Sequence, residues 1–219
     1  MTGNDETGGT SPCLARQLVG GHVVDPDVWR DVTRFRKAER ARLYACRRKM
    51  PQAAQAEQAE RVADVLDCLI PDPTGRVIAG YWPIRGEMDL RRWLARMHGA
   101  DAQPVLPVVT DRGQPVVFHA WEPGARMTRG IWNILVPAAP RPLTPDIVVV
   151  PLLGVDDACY RLGNGGGYYD MTLAALSPRP LVIGVGQDFC TIPTIFPQPW
   201  DVPMDHVLLG DGTRRDRMG

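Results

Sequence analysis

The chain has 219 residues, a formal net charge of zero, 44% hydrophobic and 23% charged residues. These values fit one globular domain with a real core and exclude a general nucleic-acid binder, which carries a strong basic excess. Five cysteines (13, 46, 68, 159 and 190) and four scattered histidines lack metal-ligand spacing, which argues against a zinc site or disulfide scaffold and for reduced thiols in a cytoplasmic protein.

The opening stretch MTGNDETGGTSPCLARQ is acidic and polar without the apolar segment of a secretory signal; residues 1–25 read as a flexible tail. From Pro26 to Leu69 the pattern is helical, with Lys37 to Met50 and Gln52 to Leu69 divided by Pro51 as a helix-starting proline. In the second helix Ala59, Val62, Ala63, Leu66 and Leu69 recur at three and four residues, an inward-facing stripe. The first helix carries Arg36, Lys37, Arg40, Arg47 and Arg48 instead, with Arg36 and Arg40 one turn apart. Taken alone, that pattern describes a solvated surface helix.

After Gly75 the character changes. RVIAGYW predicts a strand, PIRGEMDL a loop, and Leu90 to Met97 a short helix. AQPVLPVV and PVVFHAW predict two further strands. DIVVVPLLG is a continuous apolar run that suits a buried parallel strand. A glycine-rich stretch follows, then a helix over YYDMTLAAL, a buried strand over PLVIGVG, a proline-rich loop, and a last short strand at DHVLL. No apolar run reaches the roughly 18 residues of a membrane span. Strands alternating with helices predict an α/β fold with a mostly parallel sheet. The expected domain covers 26–212, with a C-terminal tail over 213–219.

The stretch RLGNGGGYYD, Arg161 to Asp170, places four glycines within five positions. Glycine costs roughly 0.5–1 kcal/mol in regular structure, so the stretch is either a forced turn or a close backbone approach to a ligand. It follows a buried strand and opens a helix, where ligands bind in open parallel sheets and where bare N–H groups favour an anion. It is not a P-loop, and as a dinucleotide fingerprint it is loose and late in the chain. Arg161 and Asp170 at its ends tilt the balance to a phosphate-and-metal site.

RLGNGGGYYD resembles the signature of the 5-formyltetrahydrofolate cyclo-ligase family, also called methenyltetrahydrofolate synthetases: RLG, a variable residue, Gly, Gly or Lys, then GYYD. YWPIRGEMDL, IWNILVP, DIVVVPLLGVDD and WDVPMDHVLL are similar to further family segments, in order, over roughly Phe35 to Leu209. The resemblance implies a single three-layer domain of the type shared by ribose-5-phosphate isomerase and CoA transferases. It also implies ATP- and Mg²⁺-dependent conversion of 5-formyltetrahydrofolate to 5,10-methenyltetrahydrofolate, ADP and phosphate. The implied partner is a small-molecule reduced folate, with no nucleic acid and no membrane.

The roles that follow from the resemblance are these. Arg161 and Tyr168 are the catalytic candidates. Arg36, Lys37 and Arg40 match the basic-helix contacts to ATP. Arg161, Gly163, Asn164, Gly165, Gly166, Gly167, Tyr168 and Tyr169 match the nucleotide loop, and Asn164 to Tyr168 also the folate site. Asp170 and Asp201 match the Mg²⁺ carboxylates. Glu87 matches the carboxylate that orients the folate, its two oxygens suiting the paired N–H donors of a pterin, with Trp82 nearby and Trp132 as an aromatic wall. Arg36 stands where the family has a lysine, Val136 where a glutamate is frequent, Cys190 where a glutamine is common, and Val155 and Met171 are further departures. These departures define an alternative, a nucleotide- or folate-binding relative without cyclo-ligase activity.

Overall fold

The computed structural model describes residues 17–19 and 21–218. A short antiparallel hairpin, β1 (Gln17–Val19) and β2 (His22–Val24), comes first. The tail expected over 1–25 is thus structured at its described positions, and its remaining positions lie outside the described residues. His22 and Trp29 both pack on Trp200, at 5.7 and 5.3 Å between ring centroids.

Helix α1 (Pro26–Lys49) starts at Asp25, whose carboxylate accepts from the N–H groups of Asp27 and Val28, a side-chain N-cap followed by proline at the first helical position. Pro51 ends the connection to α2 (Gln52–Leu69). The central sheet has the strand order β13-β12-β11-β8-β3-β4-β5. β3 (Val77–Ala79), β4 (Gln103–Val108), β8 (Ile147–Pro151), β11 (Leu181–Gly186) and β12 (His206–Leu209) run parallel. The antiparallel edges are β5 (Val117–Ala120) and β13 (Arg214–Asp216). The expected C-terminal tail is corrected here: its charged RRD sequence is an edge strand, where charged side chains are favoured.

Alternation along the buried strands sends side chains to two cores. Ile78, Ile147, Val149, Ile183 and Leu208 face α2 and α3 (Arg91–Gly99), meeting Val62, Leu66, Trp93 and Leu94. Val148, Val150, Val182 and Val207 face the other way, against Leu173 of α4 (Tyr168–Ala175). Each such aliphatic chain contributes roughly 1.5–3 kcal/mol by burial. A third cluster, Leu43, Leu153, Leu162, Ile192 and Ile195, seats α1 against the loops that leave the sheet. None of the described helices is long and apolar enough to cross a membrane.

Two small pairings lay outside the expected elements: β6 (Met127–Arg129) with β7 (Leu135–Pro137), and β9 (Gly154–Val155) with β10 (Arg161–Leu162). Strands of two or three residues carry too little alternation to be read from a sequence. They matter because each frames a loop of the site.

Candidate active site

The chain goes from β3 outward to β4 and β5, then returns to β8 on the opposite side of β3 and continues to β11 and β12. Strand order therefore reverses between β3 and β8, the kind of crevice in which open α/β sheets bind ligands. The loop after β3 carries Glu87, the loop after β8 carries the glycines, and α1 lies across both.

The two loops are joined by a hydrogen bond. Asn164 Nδ2 donates to Glu87 Oε1 at 3.1 Å, and the backbone N–H of Ile84 donates to Oε2 at 3.1 Å. Tyr44 on α1 donates its hydroxyl to Asn164 Oδ1, and Arg85 donates to that hydroxyl at 3.4 Å. Glu87 is buried, and a groove of about 370 Å³ lined by Gln55, Pro83, Gly86, Asp89 and Arg92 opens beside it.

Burial pushes the Glu87 carboxyl above its ordinary value; the Ile84 N–H, the Asn164 amide and the Arg47 charge oppose the shift without cancelling it. A raised carboxyl binds its proton more tightly folded than unfolded, so stability falls as pH rises between the ordinary and the raised value, and the whole cost is present above the latter. Glu87→Gln is therefore expected to raise the melting temperature at neutral pH, with the gain vanishing below the ordinary carboxylate range. A pH-independent difference in thermal denaturation would refute the assignment.

The glycine loop is held from above by α1. Arg40 Nε donates to the Gly163 carbonyl at 2.8 Å, and its guanidinium lies where a side chain on Gly165 would go: a Cβ there would sit 3.4 Å from Arg40 Cζ, on a backbone with φ of +98°. Burial and the neighbouring charge of Arg36 lower the Arg40 pKa. Its terminal nitrogens have no hydrogen-bond or ion-pair partner among the described residues.

Arg36 is placed differently. It is buried, donates to the carbonyls of Ile195 (2.8 Å) and Phe196 (2.9 Å), and forms a two-pronged ion pair with Asp201. Its guanidinium ties α1 to the closing loop. Arg161 is also buried; its Nη2 donates to Asp170 Oδ2 at 2.8 Å, its plane lies 5.3 Å over the Tyr169 ring, and its Nε has no partner among the described residues. Asp170 accepts in turn from Val202 N at 3.2 Å, which brings Asp170 next to the segment carrying Asp201. Each of these carboxylates is thus engaged by an arginine. Lys37 is exposed and lines a separate groove on α1 with Pro26, Trp29 and Arg34.

Tyr168 opens α4 after Gly167, and its hydroxyl accepts from Gly113 N at 3.1 Å. Trp132 meets its ring edge to face at 5.1 Å. Trp132 is 52% exposed and, like Asn133, has a left-handed backbone (φ of +55° and +62°), uncommon for a non-glycine residue and the kind of strain that collects at ligand sites. Trp82 is not brought to this cluster: it packs against the α2–α3 core, with the Arg91 guanidinium 4.6 Å over its ring.

The sequence reading passed over Tyr44 and Gln187 and gave Arg47, named among the cations of the first helix, no role in the site. Tyr44 is one turn beyond Arg40, and Arg47 continues the Arg36–Arg40 face at helical spacing, a signal that was present. Gln187 is a polar residue directly after the apolar strand PLVIGVG.

Comparisons with known proteins agree on one kinship. Residues 32–210 match the model of the 5-formyltetrahydrofolate cyclo-ligase family. The protein named 5-formyltetrahydrofolate cyclo-ligase in Mycolicibacterium smegmatis is 30% identical over 180 residues, covering 77% of this chain and 90% of the relative. The NMR structure of Aquifex aeolicus 5,10-methenyltetrahydrofolate synthetase superposes with a TM-score of 0.71 at 24% identity, over 84% of this chain and 94% of that one. A 5,10-methenyltetrahydrofolate synthetase from Mycoplasma pneumoniae superposes with a TM-score of 0.64 at 22% identity, over 78% and 96% of the two chains.

Proposed function

Because the chain belongs to the 5-formyltetrahydrofolate cyclo-ligase family, a family of ligases, we propose that it converts 5-formyltetrahydrofolate and ATP to 5,10-methenyltetrahydrofolate, ADP and phosphate in the cytoplasm. One observation carries the reading: the Glu87 loop and the glycine loop converge at the reversal of strand order and are tied by the Asn164–Glu87 hydrogen bond, with the free end of Arg40 above them. One loop presents a carboxylate, the other presents backbone donors and a cation.

In this reading Glu87 faces the pterin. Each of its oxygens accepts one internal hydrogen bond and keeps a lone pair for the paired N–H donors of the ring. Exposed Trp132, braced by Tyr168, provides a face for stacking. Arg40 and the first N–H groups of α4 hold the transferred phosphate. Arg36 and Arg161 act by holding the closing loop and the glycine loop in shape.

The formyl oxygen attacks the terminal phosphorus, and ADP leaves. The neighbouring folate nitrogen then adds to the formyl carbon and gives up its proton to the phosphate, and the carbon–oxygen bond breaks to release that phosphate. Both steps rest on positioning and charge neutralisation, so no protein nucleophile is required.

No three His, Cys, Asp or Glu gather into a metal centre among the described residues. Asp170 and Asp201, whose segments meet at the Asp170–Val202 hydrogen bond, would be the carboxylates for a Mg²⁺ carried by ATP, an ion that draws most of its oxygens from phosphate and water and one or two from carboxylates. Bound there, the ion would neutralise charge on the transferred phosphoryl group.

The test is formation of 5,10-methenyltetrahydrofolate, followed by its near-ultraviolet absorbance, with and without MgATP. An ATP-dependent rise is expected. No rise, with ATP still raising the melting temperature, would favour the nucleotide-binding relative that has lost the reaction.

A further inference from the structure

Beneath the Glu87 loop lies a polar network that the proposed reaction does not use. Arg47, at the C-terminal end of α1, is 3% exposed. Its Nη2 donates to the Leu152 carbonyl at 2.9 Å and to Gln187 Oε1 at 3.0 Å. Gln187, also buried, donates from Nε2 to the Gly86 carbonyl at 2.9 Å. The Cys190 thiol lies 3.7 Å from the same Oε1, and burial pushes its pKa up to about 12, so it adds a weak neutral contact and no charge.

Gly86 is the residue before Glu87. Its backbone is left-handed, with φ of +73°, and a Cβ on it would sit 3.2 Å from Arg47 Cγ. The aliphatic stem of Arg47 therefore supports the turn while its guanidinium, through Gln187, holds the turn's carbonyl. Three strands end here: β3 supplies the Glu87 loop, β8 the Leu152 carbonyl and β11 Gln187.

We infer that Arg47 and Gln187 are positioning residues that set the place and charge of Glu87, and so govern the folate side of the site rather than the nucleotide side. This rests on the reading of Glu87 as the folate-facing carboxylate. A buried cation is costly unless paired, yet Arg47 has only neutral oxygens as hydrogen-bond partners, and its Nε has none among the described residues. Glu87, one residue beyond the Gly86 turn that Arg47 supports, is a carboxylate whose ionised form the Arg47 charge favours.

The other groups facing Glu87 are Arg85 on its own loop, Tyr81 before the loop, Tyr169 on α4 and the Asn164 amide; Asp89 lines the same groove. Both tyrosines are buried, and burial holds their hydroxyls well above the ordinary value, so they are neutral near pH 7. Arg47 and Arg85 are the cations that favour the ionised carboxylate. Arg85 is exposed, and its charge is screened by solvent.

The experiment reads binding and titration separately. Calorimetry measures the affinities for 5-formyltetrahydrofolate and for ATP in the wild type, Gln187→Met, Arg47→Met and Arg47→Lys. Carbon-13 carboxyl NMR follows the Glu87 titration, assigned with Glu87→Gln. Gln187→Met is expected to weaken folate binding about tenfold, from loss of the hydrogen bond that holds the Gly86 carbonyl, with ATP affinity unchanged. Arg47→Met is expected to move the Glu87 titration upward. Arg47→Lys should restore the titration, because it keeps the charge, but not the folate affinity, because it lacks the planar fork.

Equal losses for ATP and folate would overturn the inference in favour of a purely structural role, and so would an unmoved Glu87 titration. Gln187→Met alters no charge and decides the point if Arg47→Met does not fold. A wild type that binds no 5-formyltetrahydrofolate would refute the proposed function, while the Glu87 titration would still judge the relay.

Discussion

Arg40→Met is expected to lower kcat/KM by about 10²–10³, the usual loss when one preorganised donor to a developing charge is removed. The structure gives Arg40 one internal bond, to the Gly163 carbonyl, and leaves its terminal nitrogens without partners among the described residues. Its removal should therefore cost only about 1 kcal/mol of stability. The loss should appear in ATP affinity and turnover, with the unfolding midpoint nearly constant. Steady-state kinetics with denaturant unfolding on the same preparations checks this. An Arg40→Met enzyme with unchanged kinetics would remove the main cation from the proposed phosphate site.

Asp170→Asn is expected to fail in two ways at once. It removes one of the two carboxylates proposed for Mg²⁺, and it leaves the buried Arg161 guanidinium without its anion. Breaking a buried pair by removing one partner costs about 3–5 kcal/mol. Lost turnover in this variant therefore does not isolate a metal role. The double variant Asp170→Asn, Arg161→Met should recover stability, because no uncompensated charge remains, and should stay inactive. Denaturant midpoints and product absorbance on single and double variants separate the two effects. An Asp170→Asn protein with an unchanged midpoint would contradict the role given to the ion pair.

The central sheet was legible because a buried parallel strand is a run of apolar residues bounded by turns. DIVVVPLLG and PLVIGVG are such runs, and they are β8 and β11. The stripe on α2 was legible for the matching helical reason. Helix α1 was not. Its arginines describe a solvated surface by composition, yet Arg36 and Arg47 are buried because their partners are the carbonyls of Ile195, Phe196 and Leu152. Hydropathy does not register a carbonyl more than a hundred residues away.

β13 escaped for a related reason: its charges suit an edge strand as well as a tail. Asp170, Asp201, Arg36 and Arg161 could be picked out as candidates, but their pairing as ion pairs could not, since pairing is a property of the folded geometry. Trp82 and Trp132 had equal standing as aromatic residues; only the backbone places one beside the glycine loop and the other against the core.

The tie between α1 and the closing loop also bears on how the molecule is made. Arg36 and Asp201 are 165 positions apart, and Arg40 and Gly163 are 123 apart. Contacts of such long range form late in folding, because the intervening chain must first be ordered. During synthesis α1 emerges early and must wait for the Asp201 segment before its buried arginines find their acceptors. At the proposed phosphate site, nucleotide would stabilise only a chain in which α1 and the Asp201 segment have met, so ligand rescue should act on the last step of assembly and leave earlier intermediates to their own packing.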